Sequence, residues 1–181
     1  MTLQALKGNR DYLHGTTIFD IIQEGLPSPG KEIVFTIKKM SNQLCQVIET
    51  SAERSEERLV ATYTDQHGER FVYETDEKLT ERIPYDEDRI AQAGKIDNQT
   101  ISFAALPQEN TFIETIVAGY KYLLNTAVQK ESYVFAQLEI DYIPTDKISI
   151  QYKRLIMKQF YQGDILHNEK QIGKIYFGVK K

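Results

Sequence analysis

The sequence predicts an α+β protein made of two similar units, each consisting of a helix followed by antiparallel strands. The first observation is a stretch at 111–128 whose apolar residues recur every three or four positions, which is the spacing of an amphipathic helix. The second is a series of short runs rich in β-branched and aromatic residues, separated by turn residues, which is typical of strands. The third is that a helix and a group of such strands occur both before and after an acidic stretch near the middle of the chain.

The first half predicts one short helix and four strands. The helix spans Thr16–Glu24, has four large apolar residues on one face, and ends at 25–30, where two prolines and two glycines favour a loop. The strands are Glu32–Lys38, Asn42–Glu49, Arg58–Thr64 and Glu69–Thr75. The last two strands flank 65–68, which we interpret as a hairpin connection.

The acidic stretch predicts a solvated linker between the two units. It holds eight acidic and four basic residues between Glu74 and Asn98 and has few aliphatic residues, with a helical turn expected at Asp86–Gln92. We therefore expect a first unit at 1–75, an acidic linker at 76–98 and a second unit at 99–181, with both units in one compact body.

The second half predicts the longest helix of the chain. The helix spans Thr111–Val128, and its Thr111-x-x-Glu114 pattern is that of a capping box. The predicted strands are Thr100–Leu106, Tyr133–Tyr142, Lys147–Tyr152, Leu155–Gly163 and Gly173–Val179.

Three short patterns recur in the same order in both halves. The stretch 17–22 matches 111–116 with an offset of 94, 34–35 matches 134–135 with an offset of 100, and 68–72 matches 173–177 with an offset of 105. A steadily growing offset is what a duplication would leave if the second copy had longer loops. The alternative is that such short patterns coincide by chance.

Composition excludes several classes of protein. The 181 residues carry a net charge of −4 and are 41% hydrophobic with 19 Phe and Tyr, which argues against a disordered chain. No run approaches the roughly 18 apolar residues of a membrane span, and the first residues do not resemble a secretory signal. The single cysteine, Cys45, excludes an intramolecular disulfide and favours a cytoplasmic protein. A pI near 5.5 argues against bulk nucleic-acid binding.

The sequence contains no motif that predicts a cofactor or a metal. The chain has no Gly-rich nucleotide loop and no GxSxG nucleophile motif. Its three histidines are far apart and lack metal-ligand spacing, so no metal site is expected.

A long helix wrapped by antiparallel strands, occurring twice, resembles the double hot-dog arrangement of acyl-thioester enzymes, namely dehydratases and thioesterases. In hot-dog dehydratases a histidine before one helix faces a carboxylate on the helix of the other copy. His14, in Asp11-Tyr-Leu-His14-Gly15, and Glu114, early in the second helix, match these places. The resemblance implies a 3-hydroxyacyl dehydratase of fatty-acid or polyketide biosynthesis, with His14 as base and Glu114 as acid. The sequence departs from the dehydratase motif because Gly15 directly follows the histidine and no proline occurs before Pro27.

The resemblance also implies residues that contact the substrate. Tyr12 and Gly15 flank His14, and the Gly15 N–H would hydrogen-bond the developing enolate. Ala118 and Gly119 are small, so that a sheet or a ligand can approach the second helix there. In a thioesterase, Glu114 or Asp20 would instead activate water.

Each candidate residue also has a purely structural alternative. His14 would pack at the start of a helix, and Glu114 would only cap one, as the similar pattern Thr17-x-x-Asp20 would in the first helix. His67 and His167 are expected in turns and Cys45 as a buried, inert thiol. The whole chain would then be a non-catalytic acyl-binding or dimerisation module.

The implied partner is an acyl chain carried by acyl-carrier protein or CoA, with homodimer formation left open. One basic cluster favours docking of an acidic carrier or a phosphopantetheine phosphate. It consists of Lys153, Arg154, Lys158, Lys180 and Lys181. The alternative for this cluster is a solvated strand face.

Overall fold

The computed structural model describes residues 1–49 and 55–180, which leaves Lys181 of the basic cluster outside the described residues. The chain divides into two compact units, Met1–Tyr85 and Asp86–Lys181. The division falls inside the segment predicted as an acidic linker.

The first unit contains one helix and six strands among its described residues. The elements are β1 (Leu6–Lys7), α1 (Gly15–Glu24), β2 (Lys31–Ile37), β3 (Gln43–Ile48), a 3-10 turn (Glu56–Arg58), β4 (Leu59–Asp65), β5 (Gly68–Lys78) and β6 (Arg82–Ile83). Strands β2 to β5 form an antiparallel sheet in the order β3-β5-β4-β2. The predicted helix and all four predicted strands of this half are confirmed, with ends that differ by up to three residues.

Helix α1 packs on this sheet through aromatic side chains. The Phe19 ring lies 5.5 Å from the Phe35 ring of β2 and 6.1 Å from the Tyr63 ring of β4. All three side chains are buried, which supplies a large apolar contact for a helix of ten residues.

A pair of two-residue strands completes the first unit. Strand β1 pairs with β6 in parallel, with Leu6 opposite Arg82 and Lys7 opposite Ile83. Leu6 and Lys7 are both buried. Neither strand was predicted, because two residues are too few to show a periodic pattern.

The second unit contains two α-helices and six strands among its described residues. The elements are α2 (Glu87–Gln92), β7 (Lys95–Asp97), β8 (Thr100–Phe103), α3 (Phe112–Leu123) with a π-helical turn (Leu124–Val128), β9 (Tyr133–Tyr142), β10 (Ile148–Ile156), β11 (Phe160–His167) and β12 (Lys170–Val179). The six strands form an antiparallel sheet in the order β9-β12-β11-β10-β8-β7.

The predicted long helix is confirmed and packs against this sheet. A Cβ atom on Gly119 would lie 2.8 Å from the ring of Phe103, so the glycine lets β8 approach the helix closely. One residue later, the Tyr120 ring lies 5.5 Å from the Phe177 ring of β12. Ile113, Ile116 and Leu123 are fully buried, as the apolar stripe predicts.

The segment 76–98 holds short regular elements, and the helical turn expected at 86–92 is present as α2. Strand β6 belongs to the first unit, whereas α2 and β7 belong to the second. Ile90 and Ala91 of α2 are buried where this helix packs on α3, and Glu87 accepts a hydrogen bond from the Lys121 ammonium at 2.8 Å. Asp86, Asp88 and Asp97 are exposed, whereas Glu87 is half-buried.

The two units differ in strand order. In the first unit, the strand that follows the helix, β2, lies beside β4. In the second unit, the corresponding strand β9 lies beside β12, the last strand of the chain. The matched stretches 68–72 and 173–177 therefore have different neighbours, because a residue pattern identifies a strand but not its partners. The predicted repeat does not extend to the strand order.

One predicted strand, Leu155–Gly163, is wrong. Residues 157–159 form the turn between β10 and β11, and Met157 and Lys158 have positive φ angles of 49° and 56°. Such a turn usually contains Gly, Asn or Asp, so its sequence carried no turn signal.

Candidate functional site

His14 lies directly before the first helix, as predicted. It is the N-cap residue of α1, with φ −68° and ψ 139°, and only 5% of its surface is exposed. Its side chain makes no capping hydrogen bond to the helix backbone. Instead, Nδ1 of the ring lies 2.7 Å from the hydroxyl oxygen of Thr16. Gly15, the first residue of α1, is also buried.

A buried lysine joins this contact from strand β1. The ammonium of Lys7 donates to Thr16 Oγ1 at 2.9 Å. Lys7 is 5% exposed and Thr16 is fully buried. Thr16 therefore connects Lys7 to His14 in a hydrogen-bonded chain of three side chains, which we call the Lys7–Thr16–His14 chain.

Aromatic rings surround this chain. The Lys7 ammonium lies 4.8 Å from the centre of the Tyr85 ring, a distance at which the ring stabilises a cation. Arg10 contacts the same ring at 5.4 Å. The His14 ring centre lies 5.8 Å from that of Tyr85 and 6.4 Å from that of Tyr12. Tyr12, His14 and Gly15 are thus gathered at the start of α1.

Lys7, Thr16 and Tyr85 were not predicted to belong to the site. Lys7 and Tyr85 reach the start of α1 because β1 pairs with β6, which connects residues 76 positions apart, as in Leu6 with Arg82. Only Thr16 had a local signal, since a hydroxyl two residues after a histidine is within reach of its ring.

The capping pattern predicted for α1 is wrong. The helix begins at Gly15, so Thr17 lies inside the first turn and is not an N-cap. Its hydroxyl is buried and has no hydrogen-bond partner among the described residues. Asp20 lies on α1 and is half-buried.

Glu114 lies in the first turn of α3 and forms the predicted capping box. The Thr111 hydroxyl accepts from the Glu114 N–H at 3.3 Å, and Glu114 Oε2 accepts from the Thr111 N–H at 3.1 Å. The Asn110 amide also donates to Oε2, at 3.4 Å. The structural role of Glu114 is confirmed, and a catalytic role stays a prediction. Ala118 and Gly119 lie buried on the same helix, with the Phe103 ring against Gly119.

The other singled-out side chains have structural surroundings. His67 lies in the β4–β5 turn, as expected. Burial, and secondly the charge of Glu74, raise the pKa of the Cys45 thiol to about 12, which supports an inert cysteine.

The expectation that His167 lies in a turn is wrong, because it is the last residue of β11 and pairs with Lys170 of β12. Its Nε2 lies 2.5 Å from Asp146 Oδ1, and its Nδ1 lies 2.7 Å from the Tyr142 hydroxyl. No group of three or more His, Cys, Asp or Glu residues suited to a metal ion occurs in the described part of the chain.

Two members of the basic cluster have partners within the second unit. Lys153 pairs with Asp164 at 3.7 Å, and Arg154 donates to Gln162 at 3.1 Å. Docking of a carrier at this cluster stays a prediction.

A groove of about 540 Å³ lies on the second unit. Ser102, Ser149 and Gln151 line it, and they alternate along their strands with the buried Ile101 and Ile150. The groove is therefore on the sheet face opposite these two side chains. None of the predicted site residues lines it.

Within the described residues, no helix is long and apolar enough to span a membrane.

Comparison with known proteins finds similarity in structure only. No protein-family model matches the chain, and no curated protein matches it by sequence. A solved structure of a proposed thioesterase II from Thermobifida fusca matches with a TM-score of 0.51 and 9% identity, over 96% of this chain and 88% of that one. A hot-dog protein of unknown function from Alicyclobacillus acidocaldarius matches with a TM-score of 0.48 and 6% identity, over 96% and 89%. A dehydratase-cyclase domain of ambruticin biosynthesis matches with a TM-score of 0.46 and 11% identity, over 99% and 86%.

At 9% identity, the similarity to the thioesterase II structure concerns the fold alone. Its coverage shows that the match extends over nearly the whole chain. A large antiparallel sheet with a long helix packed against it is the hot-dog arrangement, and α3 with its sheet has this form. The chain therefore has a hot-dog fold.

Proposed function

We propose that this protein is an enzyme acting on acyl thioesters and that His14 contacts the thioester group. The observation that carries the proposal is the place of His14, a buried imidazole at the start of a helix in a hot-dog fold. Buried imidazoles held by hydrogen bonds are suited to proton transfer or to polarising a carbonyl. The first N–H groups of α1, beginning with Gly15, have no intrahelical acceptor and favour a developing negative charge.

Two reactions compete within this proposal. In 3-hydroxyacyl dehydration, His14 removes the proton next to the thioester carbonyl, and Glu114 gives a proton to the hydroxyl, which leaves as water. In thioester hydrolysis, Glu114 or Asp20 takes a proton from water and the water oxygen bonds to the carbonyl carbon. The C–S bond then breaks, and the carboxyl group returns the proton to the leaving sulfur as a thiol. The name of the Thermobifida fusca structure supports hydrolysis by analogy of fold only.

The substrate carrier and the finer architecture belong to the same proposal. An acyl chain on acyl-carrier protein or CoA is the substrate class that both reactions require. A double hot-dog arrangement is supported by the presence of a helix on an antiparallel sheet in each unit. The different strand orders limit that comparison to the helix and its contacts.

Turnover of two substrates tests the proposal. The full chain is given an acyl-CoA, whose hydrolysis releases a thiol, and a 3-hydroxyacyl-CoA, whose dehydration forms a conjugated double bond. His14→Ala is expected to lower turnover by a factor of about 100 or more, the usual cost of losing a proton-transfer or carbonyl-polarising group. His67→Ala is the matched control, since His67 lies in a turn between β4 and β5. Equal turnover by His14→Ala and the unchanged chain would refute the proposal.

Glu114→Gln tests the predicted carboxylate separately. Glutamine also serves at this position of a capping box, so the helix should keep its stability while the ionisable group is lost. Lower turnover at an unchanged melting temperature would support a catalytic Glu114. Binding of acyl-CoA without turnover of either substrate would favour the acyl-binding module instead.

A further inference from the structure

We infer that the Lys7–Thr16–His14 chain holds His14 as the neutral tautomer with its proton on Nε2, so that His14 donates a hydrogen bond to the thioester and does not act as its base. The role towards the thioester rests on the proposed function. The tautomer follows from the contacts of three side chains in the first unit and stands independently of it.

The direction of hydrogen-bond donation in the Lys7–Thr16–His14 chain is set by Lys7. A lysine ammonium carries three hydrogens and can only donate hydrogen bonds. Its contact with Thr16 Oγ1, at 2.9 Å, therefore uses the hydroxyl oxygen as acceptor. The hydrogen of the Thr16 hydroxyl must point elsewhere.

The other contact of the hydroxyl is His14. Among the described residues, the hydrogen-bond partners of Thr16 Oγ1 are Lys7 Nζ and His14 Nδ1. Thr16 is fully buried, and a buried hydroxyl hydrogen without an acceptor costs about 1–3 kcal/mol. The 2.7 Å contact is satisfied when the Thr16 hydroxyl donates to Nδ1.

This donation decides where the imidazole carries its proton. A neutral imidazole has one N–H group and one nitrogen lone pair. Because Nδ1 accepts from Thr16, its lone pair is occupied and the proton lies on Nε2. An imidazolium would turn Nδ1 into a donor, which would leave the Thr16 hydrogen without its acceptor and place a second cation near Lys7.

The tautomer separates the two proposed reactions. Removal of a proton by His14 requires a nitrogen lone pair facing the substrate, and the one lone pair is engaged with Thr16. An Nε2–H group can instead stabilise the oxyanion that forms when water attacks a thioester carbonyl. This tautomer therefore favours hydrolysis, with a carboxylate as the base, over dehydration with His14 as the base. Lys7 and Thr16 are positioning residues in this scheme.

Nitrogen-15 NMR of the histidine rings tests the tautomer in the full chain without any ligand. The spectrum distinguishes a protonated ring nitrogen from one with a lone pair. We expect His14 to show a protonated Nε2 and a hydrogen-bonded, unprotonated Nδ1 at neutral pH. A protonated Nδ1 on His14, alone or in an imidazolium, would overturn the inference.

Another histidine of the protein, His67, provides an internal reference with the opposite tautomer. The Gln66 amide donates to Nε2 of His67 at 3.0 Å, because its oxygen already accepts from the Lys31 N–H. His67 should therefore carry its proton on Nδ1. His167, whose Nε2 contacts Asp146, has no connection to Thr16 in the described structure and serves as the second reference.

Substitutions within the Lys7–Thr16–His14 chain test whether its hydrogen bonds set the tautomer of His14. Thr16→Val preserves the side-chain shape but removes the hydroxyl, so the Nδ1 signal of His14 should shift to that of an imine nitrogen without a hydrogen bond. Thr16→Ser should restore the original signal. Lys7→Met frees the hydroxyl to accept, so both tautomers of His14 should appear. The signals of His67 and His167 should stay in place and report an intact fold.

Each result bears on one proposal only. An unchanged His14 signal in both Thr16→Val and Lys7→Met would overturn the inference whatever the activity. If either variant unfolds, the spectrum of the unchanged chain and the other variant still decide. Absence of thioester turnover would refute the proposed function and leave the tautomer standing.

Discussion

At the scale of single residues, two buried tyrosines show how differently a hydroxyl can be placed. The Tyr63 hydroxyl donates to Asp65 Oδ2 at 2.9 Å and accepts from the Gln23 amide at 2.7 Å. The Tyr120 hydroxyl is buried without a hydrogen-bond partner among the described residues. Both rings are fully buried, so the two positions differ mainly in the satisfaction of one polar atom.

Replacing each tyrosine by phenylalanine should therefore have opposite effects. Tyr63→Phe is expected to lower the free energy of unfolding by about 1–3 kcal/mol, because Asp65 Oδ2 and the Gln23 amide N–H each lose their hydrogen bond to the hydroxyl. Tyr120→Phe should leave that free energy unchanged or raise it by about 1 kcal/mol, since no bond is lost. Urea denaturation of the two variants measures both values. Equal destabilisation by the two changes would contradict the assigned contacts.

At the scale of secondary-structure elements, the two main helices begin in different ways. Helix α3 has a complete capping box formed by Thr111 and Glu114. Helix α1 begins at Gly15, and the side chain of its N-cap residue His14 turns to Thr16 and makes no capping hydrogen bond. The start of α1 is therefore built from buried polar side chains that do not serve the helix backbone, which is typical of a functional position.

The capping box gives a prediction for α3 alone. Thr111→Ala should lower the free energy of unfolding by about 1 kcal/mol, because the Glu114 N–H loses its acceptor. Thr111→Ser, which keeps a hydroxyl, is the control and should retain most of the stability. Thermal unfolding followed by circular dichroism measures the difference. A stability unchanged by the alanine would show that the cap does not contribute.

At the scale of the whole molecule, buried tyrosines in both units make the free energy of unfolding depend on pH in the alkaline range. Burial is the largest cause that raises the pKa of Tyr63, Tyr120 and Tyr133 well above the ordinary value of tyrosine. An unfolded chain loses these phenolic protons near pH 10, whereas the folded chain keeps them. The contribution to stability is therefore complete below about pH 10 and is lost as the pH rises towards the folded-state pKa values.

We expect the free energy of unfolding to fall steeply above about pH 10, by up to about 1.4 kcal/mol per pH unit for each such tyrosine. Denaturant titrations at pH 9, 10 and 11 measure the slope. Tyr120→Phe removes one of the three groups and should make the slope shallower. A free energy of unfolding that stays constant across this range would show that these phenols titrate freely in the folded state.

Most of the secondary structure of this protein could be predicted from residues that are close together in the sequence. The helices at 16–24 and 111–128 and most strands followed from apolar spacing and residue type, because helix and strand periods depend on neighbours along the chain. The capping box at Thr111 and Glu114 followed for the same reason, since its partners are three residues apart. His14 was placed correctly at the start of a helix by its sequence neighbours alone.

Contacts between distant residues required the tertiary structure. The pairing of β1 with β6 brings Lys7 and Tyr85 to His14. Each of these strands has only two residues, so no periodic pattern of residue types in the sequence indicates that they pair. The order of strands differs between the units although their sequence patterns match, because strand order depends on which backbone edges meet. The sequence by itself thus determined the elements and the position of His14. The tertiary structure decided the surroundings of His14, because hydrogen bonds and burial join residues that are far apart in the chain.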